Sequence, residues 1–82
     1  MQRSMLKSKI QDAVVTSKEV FYEGSLAVDL DLLEAADIVF GEQIHVFNVT
    51  TGARIITYAI PAPKGSGTIS LKGAAARLFE EG

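Results

Sequence analysis

Apolar and polar residues alternate along much of the chain, with the period of two that is typical of β-strands. Residues 5–16 follow this alternation and predict a first strand, and the polar residues 17–19 predict a break after it. Residues 20–30 are rich in β-branched and aromatic side chains and predict a second strand. Gly24 interrupts that run, and a glycine inside a strand usually marks a bend or a close backbone approach.

The middle of the chain predicts a helix followed by a hairpin. Residues 30–38 are rich in good helix formers, and either Asp29 or Asp31 can cap the start of this helix. Residues 42–49 and 53–60 are two alternating runs joined by a short turn that contains a glycine, so they predict a pair of antiparallel strands.

The last third of the chain predicts shorter elements. Pro61 and Pro63 are expected to end the hairpin, because proline has no N–H to donate in a central ladder position. Residues 68–71 predict a brief strand, and residues 73–82 predict a glycine followed by a helical turn or two. At least five short strands with one or two short helices favour a mainly β fold, a small barrel in a single domain that spans residues 1–82.

The composition indicates that copies of the chain associate. At 82 residues without a cysteine, the chain is near the lower size limit for independent stability and has no disulfide to support it. Its apolar content of 48% is high for a domain with so much surface. We therefore expect a homo-oligomer, and the absence of cysteine fits a cytoplasmic location.

The charge distribution argues against several classes of partner. The net charge is −2 and the eight basic residues are scattered, which gives no surface for nucleic acid or for an anionic membrane. No apolar run approaches the length of about 20 residues that spans a bilayer. His45 is the only histidine and has no metal-ligand spacing around it, so no metal site is expected.

Four short motifs and one lysine identify a family resemblance. The motifs are YEGS at 22–25, NVTxG at 48–52, RxxTY at 54–58 and GAAA at 73–76, and Lys9 lies in the predicted first strand. In this order and spacing they resemble the bacterial pyruvoyl-dependent aspartate 1-decarboxylases. The resemblance implies a double-psi β-barrel, usually a homotetramer, that converts L-aspartate to β-alanine and CO₂ for pantothenate synthesis.

The resemblance assigns Ser25 the central role. In this family the serine of a Gly-Ser pair attacks the preceding carbonyl, and the chain cleaves itself to leave an N-terminal pyruvoyl cofactor. Here the bond would be Gly24–Ser25, and glycine tolerates the strained backbone that such an attack needs. Decarboxylation requires the pyruvoyl group because no ordinary side chain accepts the electrons left on Cα. A Gly-Ser pair alone is common, so this role depends on the resemblance.

The same resemblance assigns roles to four further side chains. Thr57 would stabilise the oxyanion during cleavage, and Tyr58 would return a proton to Cα after CO₂ leaves. Arg54 would hold the substrate carboxylate that is not lost, and Lys9 would add positive charge or position the pyruvoyl end. Without the resemblance, each of these side chains is an ordinary strand residue.

The remaining candidates lie in or beside the first and fourth motifs. Gly73, Ala74 and Ala75 would offer backbone N–H groups to an anionic substrate, although the same residues equally fit a plain helix start. Tyr22 and Lys72 are possible members of the site.

The chain departs from the family at three places. The family commonly has histidine where this chain has Gln11 and asparagine where it has Lys72, and it continues into a final strand and tail beyond the last residues here. The barrel is therefore expected to be incomplete or to be completed by another subunit. The alternative hypothesis is an inactive barrel scaffold, truncated or engineered from this family.

Overall fold

The computed structural model describes residues 1–19 and 24–82. Within these ranges the chain forms five strands, one α-helix and one 3₁₀ helix. In chain order they are β1 (Ser17–Glu19), β2 (Ser25–Asp29), α1 (Leu30–Ala35), β3 (Gln43–Phe47), β4 (Arg54–Ala62), β5 (Ile69–Lys72) and the 3₁₀ helix (Gly73–Leu78). The predictions of a mainly β fold and of one or two short helices are confirmed. Neither helix in the described ranges has the length and apolar character that crossing a membrane requires.

The strands form one mixed sheet in the order β1-β5-β2-β4-β3. β2 runs antiparallel to β5 and parallel to β4, and β1 runs parallel to β5. β3 and β4 form the predicted antiparallel hairpin, with Gln43 opposite Tyr58 and Phe47 opposite Arg54. Among the described residues β1 and β3 are the edges of the sheet, so the sheet is open there and does not close into a barrel.

The central strand β2 is the most buried element of the sheet. All of its residues are buried, although only Leu26, Ala27 and Val28 are apolar. Leu26 and Val28 pack into the main apolar cluster together with Leu33 of α1 and Leu71 of β5. Hydrogen bonding on both sides and burial on both faces fit the nearly continuous apolar run that predicted this strand.

The carboxylate of Asp29 connects the end of β2 to two other segments. Its Oδ1 accepts hydrogen bonds from the backbone N–H groups of Asp31 and Gly65, both at 2.9 Å, and its Oδ2 accepts one from Gly67 at 2.7 Å. Asp29 is therefore the N-cap of α1, as predicted, and it also fixes the turn between β4 and β5. These hydrogen bonds hold the pKa of the Asp29 carboxyl below its usual range, and the bond from Gly67 has the largest effect.

The prediction of a strand over residues 5–16 is wrong. Residues 1–16 form no strand, whereas Ser17–Glu19, predicted as a polar break, is β1 and pairs with β5. Ile10 packs against the core, but Leu6, on the same face in that alternation, stays 81% exposed, and Val15, on the opposite face, also packs against the core. Alternation describes which side chains can be buried, and a strand also needs a neighbouring backbone to pair with.

The hairpin pairing ends before Pro61, as predicted, but the exclusion of this proline from a central strand is wrong, because β4 continues through it to Ala62 alongside β2. The N–H of Ala59 donates to the carbonyl of Glu42, on the β3 side of β4. Backbone groups two residues apart in a strand point to the same side, so the nitrogen of Pro61 also faces that side. β3 begins pairing opposite Tyr58, so no ladder bond is lost at Pro61.

We predict that Asp29→Asn lowers the thermal midpoint of unfolding by about 5–10 °C. The amide keeps one acceptor oxygen, whereas the carboxylate supplies two oxygens to three backbone donors. The matched control is Asp31→Asn, since that carboxylate is 49% exposed and pairs with Lys64 at the surface. Circular dichroism melts measure both variants, and equal midpoints for the two would contradict the anchoring role of Asp29.

The same carboxylate predicts a pH dependence of stability. Because the pKa of Asp29 is lower in the folded chain, its contribution is complete above the unfolded value of about 3.9 and is lost as the pH falls through the folded value. The difference in midpoint between the wild type and Asp29→Asn should therefore be constant above about pH 5 and shrink in more acidic buffers. Melts recorded across this range test the sign, and a difference that grows on acidification would refute it.

Candidate active site

The backbone at Gly24 has the left-handed conformation that favours glycine. Its φ is +97°, and β2 begins at the next residue, Ser25. A Cβ at position 24 would meet its nearest neighbour, the carbonyl oxygen of Lys72, only at 4.0 Å. The backbone angle, and not a lack of space, therefore makes glycine the suitable residue.

The hydroxyl of Ser25 is buried without a hydrogen-bond partner among the described residues. Ser25 is 0% exposed, and its Oγ makes no such bond there. An unpaired buried polar group costs about 1–3 kcal/mol, so most are paired in folded proteins. A glycine with a positive φ, followed by a buried serine hydroxyl without a partner among the described residues, is the local feature on which a reactive peptide bond can be proposed.

Gly24 faces a small cavity that collects four of the predicted site residues. The cavity has a volume of about 320 Å³ and is lined by Gly24, Thr57, Ala74 and Ala75 together with Ile55, Ile56 and Leu78. These residues come from the start of β2, from β4 and from the 3₁₀ helix. Gly73, at the start of that helix, is buried and has a φ of +70°, but it does not line the cavity.

The side chain of Asn48 connects the turn of the NVTxG motif to the 3₁₀ helix beside the cavity. Its Oδ1 accepts hydrogen bonds from the backbone of Thr50 and Thr51, at 2.9 and 3.2 Å, which shapes the turn between β3 and β4. Its Nδ2 donates to the carbonyl of Leu78 at 2.8 Å. One side chain thus holds the 3₁₀ helix against the hairpin and sets the distance across the cavity.

Tyr58 lies beside Ser25 but outside the cavity. The register of β2 and β4 pairs Leu26 with Ala59, and one residue earlier on each strand are Ser25 and Tyr58. Residues in register point to the same face, so Tyr58 and Ser25 share the face opposite Leu26. Tyr58 is 37% exposed on that face.

Arg54 does not reach the cavity in this chain. Its guanidinium carbon lies 4.7 Å from the centroid of the Phe47 ring, directly across the hairpin. This is a cation–π contact on the exposed side of β3 and β4. Sequence reasoning missed Phe47, although its place in an alternating run opposite Arg54 was a usable signal.

Lys9 lies in a different cleft. It is exposed and lines a larger cleft, of about 1210 Å³, between the N-terminal segment and the apolar side of the sheet. Nearby, the ammonium of Lys7 forms an ion pair with Glu42 at 2.8 Å and also donates to the carbonyl of Asp37. One chain therefore does not bring Lys9 together with Gly24 and Thr57.

Lys72 is the cross-strand neighbour of Ser25 on β5. Its ammonium lies 3.1 Å from a carboxylate oxygen of Glu19, which pairs with it from β1. The sequence pattern assigns no role to Glu19, because it predicts that residues 17–19 are a polar segment between two strands. Tyr22, the other possible member of the site, lies outside the described residues.

Comparison with known proteins agrees with this arrangement. The family described as aspartate decarboxylase matches residues 1–82. Proteins named aspartate 1-decarboxylase are similar over all 82 residues, with identities of 56% in Leptothrix cholodnii, 52% in Mycolicibacterium smegmatis and 58% in Burkholderia mallei. The chain spans 63%, 60% and 64% of the lengths of these relatives. With a match along its whole length, the chain belongs to the aspartate decarboxylase family.

Proposed function

We propose that this chain cleaves itself at Gly24–Ser25 and then decarboxylates L-aspartate to β-alanine and CO₂ for pantothenate synthesis. The observation that carries the proposal is the fully buried Oγ of Ser25, which has no hydrogen-bond partner within residues 1–19 and 24–82 and directly follows a glycine with a φ of +97°. Membership of the aspartate decarboxylase family supports the substrate and the reaction. The proposal covers the complete enzyme, of which this chain corresponds to about three fifths.

Self-cleavage starts with attack of the Ser25 Oγ on the carbonyl carbon of Gly24. The C–N bond breaks, an ester to Oγ forms, and the hydroxyl proton passes to the nitrogen of Ser25. Loss of the Cα proton then expels the Gly24 carboxylate from Cβ, and water replaces the nitrogen to leave a ketone and ammonia. An Oγ that makes no other hydrogen bond keeps both lone pairs for the attack.

Thr57 is the proposed donor to the oxyanion that develops on Gly24. Both residues line the same cavity, and the other lining residues are apolar or small, including Ile55, Ala74 and Ala75. In such surroundings a single hydroxyl donor has a larger effect than it would have in water.

A pyruvoyl group at position 25 supplies an electrophilic carbonyl that accepts the electrons of the breaking C–C bond. The surroundings of Ser25 fit this cofactor, since the residue is at the start of a buried strand, beside Gly24 and its cavity. Tyr58, next to Ser25 in register, is the proposed donor of the proton that Cα receives. Backbone N–H groups of residues 73–75 are proposed to bind the substrate from the other side of the cavity.

Substrate binding requires a second copy of the chain in this proposal. Arg54, the proposed partner of the retained carboxylate, lies on the outer face of the hairpin and does not line its own Gly24 cavity. Ile56, two residues further along β4, borders the cavity and is 63% exposed, and Phe47, opposite Arg54, is 52% exposed. A homo-oligomer that buries this face brings Arg54 to a neighbouring chain and covers the apolar surface.

The resemblance stated above suggests a tetramer, a closed double-psi β-barrel and a cytoplasmic location for the complete enzyme. The mixed open sheet is compatible with part of such a barrel. Lys9 would then contribute its positive charge from the N-terminal segment of one chain in the assembly. No nucleic acid or membrane has a role in the proposal.

We predict that the purified chain converts on warming into two fragments, residues 1–24 and 25–82, and then forms β-alanine from L-aspartate. Ser25→Ala should abolish cleavage, because the nucleophile is lost. Thr57→Val should slow it by about 10²–10³-fold, because an oxyanion donor is lost. Intact-mass spectrometry follows cleavage, and a carbonyl-specific hydrazine label identifies the new N-terminus of the second fragment.

The matched control is Ser70→Ala, which removes a buried serine hydroxyl from the neighbouring strand β5. That hydroxyl is paired with Ser17 at 2.8 Å, so its loss should leave the cleavage rate within about twofold of the wild type. A folded wild-type chain that stays intact through prolonged warming would contradict self-cleavage and favour the inactive barrel scaffold.

We predict that the outer face of the hairpin forms an interface between copies. Ile56→Arg should shift the mass of the particle in solution toward the monomer, because a charge would replace an apolar side chain that the partner buries. Val14→Arg is the control, since Val14 is similarly exposed at 56% but lies outside the hairpin. Multi-angle light scattering measures the mass, and a wild-type monomer at micromolar concentration would refute the interface.

A further inference from the structure

Three side chains on neighbouring strands form a row that begins at an edge of the sheet and ends at the reactive serine. Glu19 on β1 is in register with Lys72 on β5, and Lys72 is in register with Ser25 on β2. Residues in register present their side chains on one face of the sheet. A carboxylate, an ammonium and a hydroxyl therefore follow one another across adjacent strands.

The positive charge in this row lies beside the carboxylate of Glu19. The ammonium of Lys72 is 3.1 Å from the carboxylate of Glu19, while the Oγ of Ser25 makes no hydrogen bond among the described residues. The side chain of Lys72 is only 20% exposed, and that of Glu19 is 55% exposed. The carboxylate is thus a charged partner of the Lys72 ammonium on the β1 side of β5.

An ammonium that turned toward Ser25 would interfere with the attack on Gly24. Lysine only donates hydrogen bonds, so it would occupy a lone pair of Oγ and lower its nucleophilicity. A hydrogen bond to a charged group is worth about 1.5–3 kcal/mol, which is enough to slow the attack about tenfold or more.

We propose that Glu19 is a positioning residue for self-cleavage, which holds the Lys72 ammonium away from the Ser25 hydroxyl. The inference rests on the proposed function, because it concerns the cleavage that makes the cofactor.

The experiment measures cleavage rates by intact mass in two backgrounds, one with Lys72 and one with Lys72→Met. Methionine keeps the apolar stem of lysine and removes the ammonium. In the lysine background, Glu19→Gln should slow cleavage about tenfold or more, because the carboxylate that attracts the ammonium to the β1 side of β5 is removed. In the methionine background the same change should alter the rate by less than about twofold, because no ammonium is left to release.

Two controls separate this effect from loss of structure. Glu80→Gln removes the carboxylate of another ion pair, with Lys18 at 3.2 Å, and should leave the rate unchanged in both backgrounds. Glu19→Thr is a second neutral variant with a strand-favouring side chain, and it should reproduce the result of Glu19→Gln. Circular dichroism establishes that each variant is folded before its rate is compared.

The outcomes distinguish the inference from the function on which it rests. The inference is supported if Glu19→Gln slows cleavage in the lysine background and does not slow it in the Lys72→Met background. Cleavage at the wild-type rate in Glu19→Gln, or equal slowing in both backgrounds, overturns it while self-cleavage stands. Absence of cleavage in the wild type and every folded variant refutes the inference and the proposed self-cleavage together.

Discussion

The arrangement of the whole chain depends on the position of strand β2. Its neighbours pair with it on both sides, β5 antiparallel and β4 parallel, and all of its residues are buried. Each end of the strand is fixed by a different kind of interaction. At one end Gly24 turns the backbone through a left-handed angle, and at the other the Asp29 carboxylate binds three backbone N–H groups. The bond proposed for cleavage therefore lies at the start of a strand whose residues are all buried.

The alternation of side chains along β4 divides the proposed site between two faces. Thr57 lines the Gly24 cavity, whereas Arg54 lies on the outer face with Phe47. Because side chains alternate along a strand, no rotation of one hairpin brings Arg54 to the face of Thr57. By the same alternation Arg54 and Tyr58 share a face of β4. The RxxTY motif therefore directs Thr57 to one side of the strand and its arginine and tyrosine to the other, and Ile56, on the second side, is 63% exposed.

Local patterns in the sequence were sufficient to predict several elements of the fold. The hairpin, the short helix and its Asp29 cap depend on interactions within a few residues, and they are confirmed. The first strand and the effect of Pro61 depend on which backbone lies alongside, which is a property of the tertiary structure. Glu19 was missed for the same reason, since its partner Lys72 is 53 residues away in sequence. Motif spacing did locate Gly24, Thr57, Ala74 and Ala75 around one cavity, although it gave no indication of how the other candidates are divided among faces.

The unpaired hydroxyl of Ser25 shows how stability and chemistry oppose each other in this strand. A buried Oγ without a partner costs about 1–3 kcal/mol, and a small domain has few such contributions to lose. Any donor that satisfied the hydroxyl would recover that cost and also weaken the nucleophile. Lys72 is a donor on the adjacent strand, and its charge is directed to Glu19 instead. Within the part of the chain that the structure describes, the Ser25 hydroxyl is thus left without a partner, and the proposed self-cleavage depends on that hydroxyl.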